Sequence, residues 1–374
     1  MKDFVIRELK TDNIRKELEN IGFDSTYTEK GSNKFMYKNL KIYGLSVEQA
    51  NILKQTALSV GADCATNREV ITGKAGLTDV VLGGSFSQLE KISEKLKYQP
   101  FSLKNLSEDI LKTFEKTKSR TRIVGIVNVT PDSFSDGGKY YEPADAINHI
   151  NHLVEDGADI IDIGAESTKP YSEAVSADEQ IKRLKPVLEN IRGIKLPLSI
   201  DTRSAKVAEF AFDYGISVIN DVSGLDFDSE MADFIAESGL GVIIQHSKGT
   251  PQNMQNSPVY GDVVDEIYLN LLKKTEFALS KGIKNIILDV GIGFGKTRED
   301  NFMLLDRIEE FFSIGYPLMV GVSRKSLLGL NDSDDNELKD ALSAAISYPL
   351  IQKGVDYLRV HNVKLHKKLL SQGI

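Results

Sequence analysis

Short apolar runs alternate with amphipathic stretches through residues 123–362, and nearly every run ends on polar or charged residues. The runs are Val124–Val129, Ile160–Ile163, Leu196–Ile200, Val218–Ile219, Gly241–Ile244, Ile286–Val290, Leu318–Val322 and Tyr357–Val360. They are rich in β-branched residues and almost continuously apolar, as strands buried on both faces are. Between them, stretches such as Ala144–Glu155, Asp178–Ile191, Ala205–Tyr214 and Asn301–Phe312 read as helices. Many close on a glycine suited to the left-handed end of a helix. Strand, polar tip and helix, repeated eight times, predict a (β/α)8 barrel. Its C-terminal strand ends open on one face, where such barrels keep their chemistry, so the pattern predicts an enzyme.

The first part of the chain follows a different rhythm. Asp12–Ile21, Val47–Ser59 and Ser85–Leu96 read as helices, and Phe35–Gly44, Arg68–Ile71 and Asp79–Leu82 as extended segments. A small α/β domain over 1–115, of unassigned role, then precedes a barrel over 122–374, joined by the charged stretch Glu115–Arg122. A barrel takes roughly 250 residues, which the chain of 374 accommodates. The net charge of −8 is spread without long single-sign blocks, which argues against nucleic acid or an anionic membrane as partner. Cys64 is the only cysteine, so an internal disulfide and a cysteine-rich zinc site are excluded. The start lacks the apolar core of a secretory signal, and a cytoplasmic, reducing location is expected.

The tips carry two kinds of chemistry. Asp201, Asn220 and Asp289 stand at strand ends where buried carboxylates need strong hydrogen-bond donors, such as the N–H groups of a 2-aminopyrimidinone ring. Lys325, Arg359 and His361 lie at the seventh and eighth tips, the quadrant that often holds phosphate. Asn128, Asp132 and Asp136 at the first tip offer oxygen ligands of the kind magnesium takes beside a polyphosphate. Gly291–Thr297 superficially resembles a phosphate loop but is one residue too short between its glycines. His246 reads equally as a pocket residue or an ordinary hydrogen-bonded one. His149 and His152, within one helical stretch, read as a solvated helix face rather than a zinc site, and His366 reads as similarly bland.

Asn128-Val-Thr-Pro-Asp-Ser-Phe-Ser-Asp-Gly-Gly138 closely resembles the first loop of the dihydropteroate synthases, and Ile163-Gly-Ala-Glu-Ser-Thr-Lys-Pro170 their second. The resemblance runs on through Asn220–Gly224, Lys248–Gln255, Leu288–Thr297, Ser323–Ser326 and Arg359–His361, in order, across residues 122–370. It implies condensation of 6-hydroxymethyl-7,8-dihydropterin diphosphate with 4-aminobenzoate, giving 7,8-dihydropteroate and pyrophosphate. By position, Asn128 would hold magnesium and diphosphate, with Asp136 on the same loop among the catalytic groups. Thr168, Arg359 and His361 would bind the anionic part of the substrate. Asp201, Asn220, Asp289 and Lys325 would grip the pterin, and Phe134, Pro170 and Ser326 would help enclose 4-aminobenzoate. A homodimer is the assembly the resemblance implies.

The chain departs from the usual pattern at Ala165, Lys169 and Tyr171 of the second loop, at Val290, and at Asn362, where the family usually carries aspartate. Two other readings stay open on the sequence: a pterin-dependent methyltransferase on the same barrel, and a catalytically silent pterin-binding paralogue.

Overall fold

The computed structural model describes residues 4, 6–9, 14–114, 120–130, 143–166, 174–249, 258–330 and 334–372. The chain divides into two compact units, Met1–Thr117 and Lys118–Ile374.

The first unit contains α1 (Ile14–Asn20), α2 (Thr28–Ser32), β1 (Tyr37–Leu45), α3 (Val47–Leu58), β2 (Asp63–Thr66), β3 (Thr78–Ser85), α4 (Phe86–Leu96) and α5 (Leu103–Lys112). Its strands form an antiparallel sheet in the order β1-β3-β2. Ser46 with Gln49, and Ser85 with Gln88, close capping boxes that start α3 and α4. Leu53, Leu82, Leu89, Ile92 and Leu96 belong to its buried core. The helices α2 and α5 were not foreseen, and two further differences concern the extended segments. Arg68–Val70 is a 3-10 turn opened by the Asn67 side chain, not an extended segment, and the strand Asp63–Thr66 was not foreseen. That strand is only four residues long, and Asp63 and Thr66 blunt its apolar signal.

The second unit is a closed parallel barrel. Its elements run β4 (Arg122–Asn128), α6 (Pro143–Glu155), β5 (Ile160–Gly164), α7 (Ala177–Ile191), β6 (Leu198–Asp201), α8 (Ala205–Phe212), β7 (Val218–Asp221) and α9 (Met231–Ser238). There follow β8 (Gly241–Gln245), α10 (Val263–Ser280), β9 (Ile286–Asp289), α11 (Arg298–Asp306), β10 (Leu318–Val320), α12 (Asn336–Lys353), β11 (Tyr357–Val360) and α13 (Val363–Ser371). The barrel closes through β11 on β4 and β10 on β9. The predicted (β/α)8 class is therefore observed. No helix among the described residues is long and apolar enough to cross a membrane.

Two apolar layers hold the barrel. The larger lies between strands and helices, with Ile123, Ile161, Ile163, Ile200 and Phe311 fully buried in it. The smaller joins Val124, Ile160, Ile243, Met319 and Tyr357, with Val218 and Ile287 against them. Seven different strands contribute to it, so it fills the barrel interior as a plug.

Candidate active site

Strand geometry converts that plug into a site. Side chains two positions apart share a face. Asp162 stands two residues beyond Ile160, Asn220 beyond Val218, Gln245 beyond Ile243, Asp289 beyond Ile287, and Arg359 beyond Tyr357. Five of the seven plug residues are thus followed, one layer nearer the mouth, by an inward polar side chain, while Val124 is followed by Ile126. At β10 the same step reaches Gly321. A Cβ there would stand in ordinary contact with the Lys325 ammonium, 3.7 Å away.

The polar layer is closely knit. Arg359 Nε donates to Asp162 Oδ2 at 2.6 Å, and its Nη2 to Asp201 Oδ2 at 2.7 Å. Asn220 Nδ2 donates to the same Asp162 oxygen at 2.9 Å. Burial pushes Asp201 up to about 7, because desolvation, with Asp162 adding to it, outweighs the nearby guanidinium. Burial works against the charge on Arg359, yet Asp162 and Asp201 together hold its proton more tightly than usual. Asp162 Oδ1, Asn220 Oδ1 and Gln245 Nε2 are buried and make no hydrogen bond among the described residues.

Asp289 accepts from the Gly291 backbone N–H at 2.7 Å. Burial raises its proton affinity, and Lys325, that N–H and Arg359 oppose the rise. Lys325 donates to the carbonyl oxygen of Ile292 at 2.6 Å and lies 4.7 Å from the centre of the Phe294 ring. Burial lowers it to about 8, although Asp289 and Asp201 favour its charge.

At the seventh tip, Arg324 turns away from Lys325. It takes a positive φ of 56° and pairs with both carboxylate oxygens of Asp340 on α12, at 2.7 and 2.9 Å. Asp340 Oδ2 also accepts from Asn362 Nδ2 at 3.1 Å, while Asn362 Oδ1 caps α13. The eighth tip presents His361, whose Nδ1 faces Ser323 Oγ at 2.9 Å; burial lowers its value to about 3, so the ring is neutral. Ser326 begins a short 3-10 turn. At the first tip Asn128 ends β4, half-buried and in register with Gly164. Phe134, Asp136, Thr168 and Pro170 lie outside the described residues, as do Asp132, Lys169 and Tyr171. The flanks of the second loop are described. Glu166 accepts from Arg203 at 3.0 Å and from the Val175 backbone at 3.2 Å, so both sides of that loop are tied to β6.

Arg359 was expected at an anionic substrate group; here its fork is occupied by Asp162 and Asp201. His246 is buried, held neutral with a value near 2 by desolvation and Lys296, and its Nδ1 faces that lysine at 3.0 Å. His149 contacts the Ile126 carbonyl oxygen, and His366 is buried between Asn362 and Ser347. Two residues were missed, Asp162 and Lys296. For Asp162 a signal existed, the two-residue step from Ile160.

The chain matches the family model described as pterin binding enzyme over residues 124–361. It is 34% identical to the bifunctional dihydropteroate synthase/dihydropteroate reductase of Helicobacter pylori, over 98% of this chain and 97% of that one. Against the dihydropteroate synthase of Bacillus subtilis it is 41% identical, over 66% of this chain and 85% of the relative. The chain spans 40% of the length of the probable bifunctional folylpolyglutamate synthase/dihydropteroate synthases of Haloferax volcanii and Halobacterium salinarum. Among solved structures, a Clostridium difficile dihydropteroate synthase crystallised with pteroic acid superposes with a TM-score of 0.63 and 38% identity, over 68% of this chain and 96% of that one. The chain belongs to the pterin-binding enzymes and, among them, to the dihydropteroate synthase family.

Proposed function

We propose that this chain is a dihydropteroate synthase, joining 6-hydroxymethyl-7,8-dihydropterin diphosphate to 4-aminobenzoate. The observation that carries the reading is the inward layer of Asp162, Asp201, Asn220 and Asp289 above the apolar plug. A pterin edge, with adjacent ring and amino N–H donors, suits those acceptors, and Lys325 supplies a donor for a ring acceptor. In the reaction the C–O bond to diphosphate breaks and the aniline nitrogen forms a C–N bond to the exocyclic methylene, then loses a proton. The electron-rich pterin spreads the positive charge that develops there, so no activated nucleophile is needed. The chain's task is to hold the ring still and exclude water. Measuring pyrophosphate release from purified protein, with and without 4-aminobenzoate, tests the reading. Release independent of 4-aminobenzoate, or none at all, sinks it, and pterin binding without release would revive the silent-paralogue alternative.

Magnesium fits the first tip. Asn128 offers a neutral oxygen at the rim, and magnesium takes one or two protein oxygens with water and phosphate completing its octahedron. When bound, magnesium neutralises charge on the departing pyrophosphate. Activity is expected to vanish on chelation, and Asn128→Ala to raise the magnesium needed for half-maximal rate several-fold. Full turnover in verified absence of metal would contradict this role. We assign the reaction to the cytoplasm and the protein to a homodimer.

In the second loop, Lys169 stands for the family's usual arginine and Tyr171 for its glycine, replacing a rigid fork by a point charge and reducing backbone freedom. Lys169→Arg with Tyr171→Gly should therefore lower the KM for 4-aminobenzoate and tighten sulfonamide inhibition, leaving pterin affinity unchanged. An equal change in pterin affinity would remove this loop from aromatic-acid binding.

A second reading adds to the first. The Helicobacter pylori relative, named also for dihydropteroate reductase, matches this chain end to end, whereas the Bacillus subtilis synthase matches two thirds of it. Reduction of dihydropteroate by a nicotinamide or reduced-flavin donor is therefore assayed alongside synthesis. Donor oxidation that does not depend on dihydropteroate counts against it.

A further inference from the structure

We infer that Lys296 is a positioning residue for the pterin site, holding the turn after β9 so that Asp289 faces the ligand. The inference rests on the pterin reading of Asp289. Lys296 is buried, and among the described residues it makes no ion pair. Its Nζ donates to the carbonyl oxygens of Gly291 at 2.8 Å and Phe294 at 2.9 Å, and faces His246 Nδ1 at 3.0 Å. An ammonium without a carboxylate partner is costly to bury, and an apolar side chain would fill the space at no such cost. What the amine holds in place accounts for its being there.

The hydrogen bonds indicate what that is. The Gly291 carbonyl is taken by Lys296 while the Gly291 N–H is given to Asp289 Oδ1, so one residue is fixed from both sides. Such chains of bonds polarise one another. The turn is also tied to β8: the His246 N–H donates to the Asp289 carbonyl at 2.9 Å, and a Cβ on Gly291, at φ 68°, would collide with the His246 carbonyl oxygen. Lys325 grips the same turn at Ile292. The two lysines divide the work: Lys325 Nζ lies beside Gly321, and Lys296 holds the turn through its carbonyls and His246. Charged and titratable groups facing Lys296 are Asp289 of β9, Asp300 of α11, His246 and Lys248 beyond β8, and Lys325 beyond β10. Asp289 is the foremost in favouring its charge.

The test compares Lys296→Met and Lys296→Gln with Asp289→Ala in the full chain, using calorimetry with a pterin ligand and steady-state kinetics. Lys296→Met is expected to weaken pterin binding at least ten-fold. Lys296→Gln, which keeps an N–H donor for the turn, should fold if the methionine variant does not and should lose a few-fold. The KM for 4-aminobenzoate at saturating pterin diphosphate should stay within two-fold in both. A folded variant with unchanged pterin affinity overturns the inference, as does an equal loss for both substrates, which would mark a general packing role. If Asp289→Ala itself keeps full pterin affinity, the pterin reading fails instead, so the two failures are distinguishable.

Discussion

Asp289→Ala loses pterin binding while the barrel stays folded. On the proposed reading Asp289 is the acceptor for paired N–H donors of the ring, and hydrogen bonds to a charged group contribute about 1.5–3 kcal/mol each. Two such bonds put the loss at roughly 3–6 kcal/mol, or between about a hundred-fold and ten-thousand-fold in affinity. Calorimetry with a pterin ligand, beside a thermal melt of the same sample, measures it. Unchanged affinity would remove Asp289 from the site.

Arg359→Met has the second large effect, and it falls on stability as well as binding. Arg359 is the shared partner of Asp162 and Asp201, both of them buried. Taking one member from a buried ionic group costs about 3–5 kcal/mol, because the remaining charges lose their compensation. The pH dependence carries a definite sign. Asp201 has a folded value of about 7 against an ordinary 3.8, so between those values the folded state binds more protons than the unfolded one. Stability from this group is full below the lower value and lost as pH rises through the upper. Without the guanidinium the upper limit moves higher still. The variant should therefore lose most above pH 7 and recover part of the loss as the medium is acidified. Urea melts at two pH values decide the matter: an equal deficit at both would mean that the two carboxylates are not what Arg359 compensates.

The barrel was legible because strands buried on both faces are apolar throughout, and their polar endings cannot be hidden by helix periodicity. The first unit was less so. A 3-10 turn such as Arg68–Val70 has no period of its own, and Asp63–Thr66 is too short to show one. Within the site, polar residues in the last two positions of a strand or just past it were visible, whereas Asp162, in the middle of Ile160–Gly164, was masked by its apolar neighbours. Lys296 escaped for another reason. Its burial depends on four contacts at the β8 and β9 tips, which only the fold assembles. Alternation in an extended segment would suffice to part Arg324 from Lys325; the separation comes instead from a left-handed backbone at Arg324 and from Asp340, sixteen residues later.

That last contact binds two distant positions into one evolutionary choice. Asp340 serves the guanidinium of Arg324 and the amide of Asn362, and so joins the seventh and eighth tips from outside the pocket. An aspartate at 362 would set a second carboxylate where the amide now stands, 3.1 Å from Asp340 Oδ2, with one guanidinium to serve both. Asparagine at 362 and aspartate at 340 are best understood as a matched pair. Aspartate at 362 is therefore expected only where 340 is no longer acidic, and relatives with aspartate at the first position should carry an uncharged or basic residue at the second.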